Sequence, residues 1–180
     1  MTTQAATTWA IDPSHSEITF KVKHLVIATV TGKFTSFQGL LNTANEDFSN
    51  AQISFTADIN SITTGNADRD GHLKSDDFFN AETFPQLTFK STSFTKTSDT
   101  EYKLIGDITL RDVTKSIELT AEYGGTMVDP WGNTKAGFEI NGSIKRKEFG
   151  LKWDAITEAG GAVVSDEVKL HLNIELHKQA

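Results

Sequence analysis

Apolar and polar residues alternate one by one along most of this chain. In the segment 167–178, the even-numbered positions from Val168 to Leu176 are all apolar, and the odd-numbered positions between them are all polar. Successive side chains of a β-strand point to opposite faces, so this pattern predicts a strand with one buried face. The chain also carries 24 threonines, a β-branched residue that suits strands.

The same alternation recurs often enough to predict eight strands. They are 17–23, 29–41, 52–59, 86–95, 102–110, 117–123, 136–145 and 167–178. In the second strand the apolar positions change phase, because Val30 and Phe34 are even-numbered whereas Phe37 and Leu41 are odd-numbered. A bulge near Thr35–Ser36 would return all four to one face, and bulges are common where sheets bend.

Short turns link most of these strands, which favours antiparallel pairing of neighbours. Eight antiparallel strands with one apolar face must close or stack, and closure removes exposed edges. The sequence therefore predicts an all-β, eight-stranded antiparallel barrel about 25 Å tall, with a β-sandwich as the alternative. The connection 63–85 is predicted to hold one or two short helices, with Asn66 as N-cap. The segment 147–165 is predicted to be a mixed loop.

Length and charge limit what the chain can do. With 180 residues it is one domain, here predicted over 9–178 after an extended or disordered segment 1–8. The net charge of −7 argues against nucleic acid and against an anionic membrane surface. Without cysteine there is no disulfide or thiolate metal site. No membrane-spanning run and no signal peptide are visible, so a cytoplasmic location is expected, or a periplasmic one if a leader was removed.

The barrel interior is the first candidate site. Its inward positions are nearly all Phe, Leu, Ile and Val. Two interpretations stay open at this point, an ordinary filled core or an apolar tunnel for a long lipid chain. A tunnel would have ample driving force, since each buried CH₂ contributes about 0.8 kcal/mol.

Charged residues near the strand ends form the second candidate site. Asp68 to Asp77 holds acidic residues, Arg69 and His72, which suit either a solvated helix or a head-group site. Arg111, Lys115 and the run 145–147 suit either solvated turns or a rim that meets a phosphate or carboxylate. His15, His24 and His72 could meet in space but lack metal-ligand spacing. The spacing of these histidines therefore predicts no metal site. No serine-nucleophile elbow occurs, and no catalytic residue is predicted.

Several ordered motifs give the chain a resemblance. They are the segments 9–16, 32–39, 69–79, 84–91, 106–115 and 146–151, with Phe20, His24 and the closing strand. Together they resemble the YceI-like family over roughly residues 9–176. The chain departs from the family pattern locally, with Asp112 where glycine is usual and Ser116 where proline is common.

The resemblance implies a lipocalin-like extended barrel that binds a polyisoprenoid, an isoprenoid quinone or a related long-chain lipid. It also implies a homodimer, for which Phe94 and Ile105, apolar but out of phase, are the candidate exposed patch. The expected function is non-enzymatic binding, transport or sequestration of the lipid, with no cofactor besides that lipid. A lipid-modifying barrel enzyme of the isomerase or cyclase type and a stress-related interaction module are the alternatives.

Two sets of ligand-binding residues follow from this interpretation. The predicted cavity wall is Phe20, Val22, Phe34, Phe37, Phe55, Ile59, Phe78, Phe79, Phe89, Leu104, Ile108, Leu119, Phe138, Ile140, Phe149 and Leu172. The predicted head-group rim is His24, Arg69, Asp70, His72 and Arg146.

Overall fold

The computed structural model describes residues 6–25, 27–153 and 164–179. Its strands are β1 (Thr7–Ile11), β2 (Glu17–His24), β3 (Ala28–Phe34), β4 (Phe37–Thr43), β5 (Gln52–Asp58), β6 (Ile62–Thr63), β7 (Gln86–Lys96), β8 (Glu101–Leu110), β9 (Val113–Val128), β10 (Thr134–Lys145) and β11 (Val164–Lys178). One α-helix, α1 (Ala67–Lys74), and three short 3₁₀ turns complete the described elements.

The strands close into an antiparallel barrel. Around the ring the order is β1, β4, β5, β7, β8, β9, β10 and β11, and β11 pairs again with β1. Strands β2 and β3 extend this ring, with β2 paired to β11 and β3 paired to β2. The eight-stranded barrel that the alternation predicted is therefore confirmed.

The eleven described strands occupy eight positions in the barrel, because at three of these positions two shorter strands follow one another. Strands β1 and β2 pair with successive parts of β11 and are separated by the 3₁₀ turn Pro13–His15. Strands β3 and β4 are separated at Thr35–Ser36, where the sequence predicted a bulge, and Phe34 and Leu41 are both buried on the inner side. Strand β5 passes through a 3₁₀ turn, Ile59–Ser61, into β6.

A register shift between β7 and β8 corrects one sequence-based expectation. The pairing of β7 with β8 slips between Ser91 and Ser93, which turns Phe94 inward. Phe94 is 2% exposed and stacks on Tyr102 with ring centroids 4.6 Å apart. Phe94 is therefore a core residue, and its proposed place in an exposed patch was wrong.

Helix α1 lies in the long connection, as predicted. The Asn66 side chain accepts a hydrogen bond from the Arg69 backbone N–H, which is the N-cap geometry. The segment 147–165 begins with the 3₁₀ turn Arg146–Phe149. Residues 154–163 of that predicted loop lie outside the described residues.

The two ends of the barrel can be told apart from the strand register. His24 at the end of β2 pairs with Val164 at the start of β11, and the turn after β10 lies at this same end. The β9–β10 hairpin lies at the opposite end, where Lys135 of β10 pairs with His177.

Candidate functional site

An elongated apolar cavity lies inside the barrel. Its volume is about 340 Å³, within the range of small-molecule sites. Its wall is built from the inward positions of nearly every strand, so its chemistry follows from the alternation in the sequence. Residues on this wall include Ile18, Phe20, Phe34, Leu41, Phe55, Leu87, Phe89, Leu104, Ile108, Leu119, Ala121, Phe138, Ile140, Leu170, Leu172 and Ile174.

Most of the predicted wall residues lie on this cavity. Val22, Phe78 and Phe79 line it together with the predicted residues named above. Three predicted residues do not line it. Phe37 packs against Phe55, with ring centroids 6.2 Å apart, and Ile59 and Phe149 are buried within 3₁₀ turns. Contact of any of these side chains with a ligand stays a prediction.

One end of the cavity is closed by a group of aromatic rings centred on Phe48. Phe48 is 2% exposed, and its ring centroid lies 5.2 Å from that of Trp9, 5.6 Å from that of Tyr123 and 5.3 Å from that of Phe138. We call Trp9, Phe48, Tyr123 and Phe138 the aromatic plug. Sequence analysis missed Phe48, although a single Phe within the polar turn 44–50 was a usable signal.

The other end of the cavity is its mouth. His24, Lys23 and Val164 line it from β2 and β11, and Arg69 and His72 line it from α1. The His72 ring lies 4.9 Å from Trp153 and 5.1 Å from Phe78, centroid to centroid, and its Nε2 is 2.8 Å from Asp77 Oδ2. The predicted rim residues His24, Arg69 and His72 therefore lie at one end of the cavity.

Arg69 and Asp70 are held by Thr64 at the start of α1. Arg69 donates from Nε to Thr64 Oγ1 and from Nη2 to the Thr64 carbonyl, both at 2.7 Å. Asp70 Oδ1 accepts from the Thr64 backbone N–H and hydroxyl. Asp70 does not line the cavity, so its position in the structure is that of a helix anchor and not that of a rim residue.

Arg146 lines the cavity, as predicted for a rim residue, and it is not a solvated turn charge. It is 3% exposed, and its guanidinium donates to four backbone carbonyls, those of Leu151, Trp153, Val164 and Ser165. Its Cζ also lies 5.8 Å from the centre of the Phe78 ring. A buried guanidinium requires such partners, so Arg146 joins β10, the turn after it and β11 beneath the mouth.

Arg111 has a related structural role. Its Nη1 donates to the carbonyls of Asp76, Phe78 and Gly150, and its Nη2 pairs with the Asp76 carboxylate at 2.8 Å. Arg111 therefore fixes the segment after α1 to the barrel, and it is not a solvated turn charge.

A third cluster lies at the break between β1 and β2. His15 Nδ1 is 2.9 Å from Asp12 Oδ2 and 3.5 Å from Glu175 Oε2. The hydrogen bond that His15 donates to the Asp12 carboxylate and the charge of Glu175 raise the pKa of His15, and the same hydrogen bond lowers the pKa of Asp12. One ligand atom from each of the three residues lies within 4.8 Å of the others, but Lys135 Nζ also contacts Asp12, at 3.0 Å. These residues form an ion-pair network. His15 belongs to this network and does not line the cavity, whereas His72 lies at the mouth.

No helix among residues 6–25, 27–153 and 164–179 is both long and apolar enough to span a bilayer.

Comparisons with known proteins place this architecture. The family model of the YceI-like domain matches residues 9–176. A UPF0312 protein of Yersinia pestis (strain Pestoides F) is 38% identical over 161 residues, which cover 89% of this chain and 80% of the relative.

Two solved structures share the fold. BcnA of Burkholderia cenocepacia has a TM-score of 0.80 at 19% identity and covers 92% of this chain and 98% of its own. A polyisoprenoid binding domain from Saccharophagus degradans, implicated in plant cell wall breakdown, has a TM-score of 0.70 at 16% identity and covers 95% and 98%.

Proposed function

This chain belongs to the YceI-like family, and from that premise we propose that it binds a long-chain lipid of the polyisoprenoid or isoprenoid-quinone class inside its barrel. It carries or sequesters this lipid without changing it chemically. The observation that carries the proposal is the apolar cavity, closed at one end by the aromatic plug and open at the other beside α1.

The shape of the cavity favours a chain over a compact ligand. Wall residues come from opposite ends of the strands, from Ile144 and Val168 near the mouth to Phe138 and Ile174 near the plug. A slender apolar chain can follow this length, with its polar head left at the mouth. The Saccharophagus degradans domain with the same fold is a polyisoprenoid binding domain, which supports the ligand class.

The energetics allow tight binding. Each buried CH₂ contributes about 0.8 kcal/mol, so a chain of about twenty carbons gains roughly 16 kcal/mol before costs. Loss of translational, rotational and chain freedom offsets about 4–15 kcal/mol of that gain. The net binding free energy that is left ranges from weak to strong. The barrel wall is formed before the ligand binds, which reduces the cost of ordering and favours strong binding.

Carriage is favoured over catalysis by the state of the polar groups at the mouth. A general acid or base must reach the substrate through an available donor or acceptor. Arg69 and Arg146 direct their N–H groups at Thr64 and at backbone carbonyls, and His72 is paired with Asp77. These groups hold the mouth together, and a head group can still lie against His24 and His72.

The proposal is tested by native mass spectrometry of the purified protein, followed by organic extraction and identification of the bound molecule. We expect one polyisoprenoid or isoprenoid quinone per chain, recovered unchanged after incubation with the protein. If the purified protein contains no bound lipid, it is mixed with a polyprenyl alcohol or an isoprenoid quinone in detergent micelles. Failure to bind either lipid, or recovery of a chemically altered lipid, would contradict the proposal.

A further inference from the structure

Two exposed apolar side chains stand beside the open end of the cavity. Ile27 is 86% exposed and Leu25 is 42% exposed, in the hairpin that joins β2 to β3. The hairpin follows His24, which itself lines the mouth. Leu25 also has a φ of 54°, and a bulky residue in the left-handed region is a true outlier. Leu25 and Ile27 therefore present apolar surface to solvent at the entrance of a lipid site.

The outer face below the tip is cationic. Lys21 of β2 lies directly opposite Lys169 of β11 as its cross-strand partner, and both are exposed. Lys23 follows on the same face of β2 and donates to Thr29 on β3. Like charges in directly opposed positions destabilise a sheet. A pair of this kind in a chain of net charge −7 concentrates positive potential at one place.

We propose that the β2–β3 hairpin docks the open end of the barrel onto an anionic lipid bilayer. Ile27 and Leu25 enter the apolar boundary of the leaflet, while Lys21, Lys23 and Lys169 meet the lipid phosphates. The inference rests on the proposed function, because a long-chain lipid is held in membranes and must pass from one to the cavity. Docking at the mouth gives it a path that avoids water.

The proposal requires the local charge of this surface to outweigh the net charge of −7, which alone argues against an anionic membrane surface. Attraction to anionic lipids acts within about 10 Å of the surface at ordinary salt, so the local charge decides it. Exposed acidic residues at the mouth end include Asp68, Asp76 and Asp77 around α1 and Glu167 on β11, where Glu167 lies opposite Lys145 of β10. The docked barrel tilts so that the exposed Ile27 and the Lys21–Lys169 pair approach the lipid and the α1 side faces away.

The test is flotation of the protein with vesicles of phosphatidylcholine alone or of phosphatidylcholine mixed with phosphatidylglycerol. We expect binding to the mixed vesicles that falls as salt is raised. Ile27→Asp is expected to lower the partition coefficient about tenfold, because one aliphatic side chain leaves the lipid. Lys21→Glu combined with Lys169→Glu is expected to lower it by at least about fivefold for each lysine removed.

Matched controls come from the opposite end of the barrel. Trp131 is 82% exposed at the tip of the β9–β10 hairpin, and Lys178 is exposed at the end of β11. Trp131→Asp and Lys178→Glu are expected to leave vesicle binding unchanged. Binding that is lost through Trp131 and kept in the Ile27 variant would overturn the proposal, and so would equal binding to neutral and anionic vesicles.

Lipid occupancy is measured separately, so the two proposals can fail independently. None of Ile27, Lys21 and Lys169 lines the cavity, and each variant is expected to take up lipid from detergent micelles as the wild type does. A protein that takes up lipid from micelles but never floats with vesicles would overturn docking alone. A wild-type dimer that Ile27→Asp dissociates, without vesicle binding, would assign the hairpin to contact between two copies and would also overturn docking.

Discussion

The ring of Phe20 occupies the space that a side chain at Gly32 would need. The two residues are direct cross-strand partners on β2 and β3, and a Cβ on Gly32 would collide with the tip of the Phe20 ring. Phe20 lines the cavity, and its ring centroid lies 5.8 Å from that of Phe34. The glycine therefore lets one wall aromatic lie flat against its neighbouring strand and leaves the centre of the barrel open.

Gly32→Val should push the Phe20 ring into the cavity. Overpacking of this kind costs about 1–3 kcal/mol of unfolding free energy, and the displaced ring also narrows the channel. Urea denaturation and lipid uptake from micelles would measure the two effects. Gly137→Ala is the matched control, since a Cβ there meets no atom within 4 Å. Full lipid uptake by a folded Gly32→Val protein would contradict this account of the wall.

Phe48→Ala should open the plugged end of the cavity. Removal of a buried Phe side chain costs about 3–5 kcal/mol of stability, and the space it leaves adjoins Phe138 on the cavity wall. We expect the preferred ligand to become longer, as measured by competition within a series of prenyl chain lengths. Phe149→Ala is the control, because Phe149 is 1% exposed but does not line the cavity. An unchanged length preference in the Phe48 variant would show that the plug does not set ligand length.

Arg146→Met should destabilise the mouth. The substitution leaves four backbone carbonyls without their charged donor, and each unsatisfied buried group costs about 1–3 kcal/mol. We expect a loss of at least about 3 kcal/mol in unfolding free energy, measured by urea denaturation. Lys152→Met, at an exposed position, should change stability little. Equal stability of the two variants would mean that the Arg146 hydrogen bonds are not formed in solution.

The Asp12–His15 pair should make the free energy of unfolding depend on pH in two separate pH ranges. The hydrogen bond to Asp12 raises the pKa of His15 above its usual 6.5, so the stability that His15 contributes is complete below pH 6.5. That contribution is lost as the pH rises through the raised pKa. The His15 bond lowers the pKa of Asp12 below its usual 3.8, so the Asp12 contribution is present above pH 3.8 and is lost as the pH falls through the lowered pKa.

His15→Gln should therefore lose more stability relative to wild type at pH 5.5, about one unit below the usual His pKa, than at pH 9, well above it. NMR titration of the His15 ring should place its pKa above 6.5 in the wild type and lower in Asp12→Asn. A His15 pKa that does not respond to Asp12→Asn would contradict the pairing.

The sequence predicted the fold well because alternation is a local property of each strand. All eight predicted strands are present, and the Asn66 cap placed α1 correctly. The details that it missed depend on contacts between distant segments. The inward turn of Phe94 follows from a register shift between β7 and β8, which the numbering of Phe94 within its own strand cannot reveal.

The candidate site was predictable in its wall and less so in its ends. Inward phase alone placed Phe20, Phe89 and Leu119 on the cavity. The carbonyl partners of Arg146 come from residues up to nineteen positions away, and Phe48 reaches Trp9 across the barrel end. These contacts depend on how the loops fold back over the ends of the barrel, and the periodicity of the sequence does not contain that information.

The central claim, that the lipid occupies the barrel, is tested most directly at the valines below the mouth. Val22 is the cross-strand partner of both Val30 and Val168, and all three line the cavity. Val22→Trp should block the channel at this level, while Thr31→Trp adds the same ring to the outer face of β3.

Both folded variants and the wild type would be stripped of lipid, mixed with an isoprenoid quinone in micelles and analysed by native mass spectrometry. We expect one quinone per chain for wild type and Thr31→Trp, and an empty Val22→Trp protein. Equal quinone occupancy in a folded Val22→Trp protein would contradict the claim, because the ligand would then bind outside the barrel.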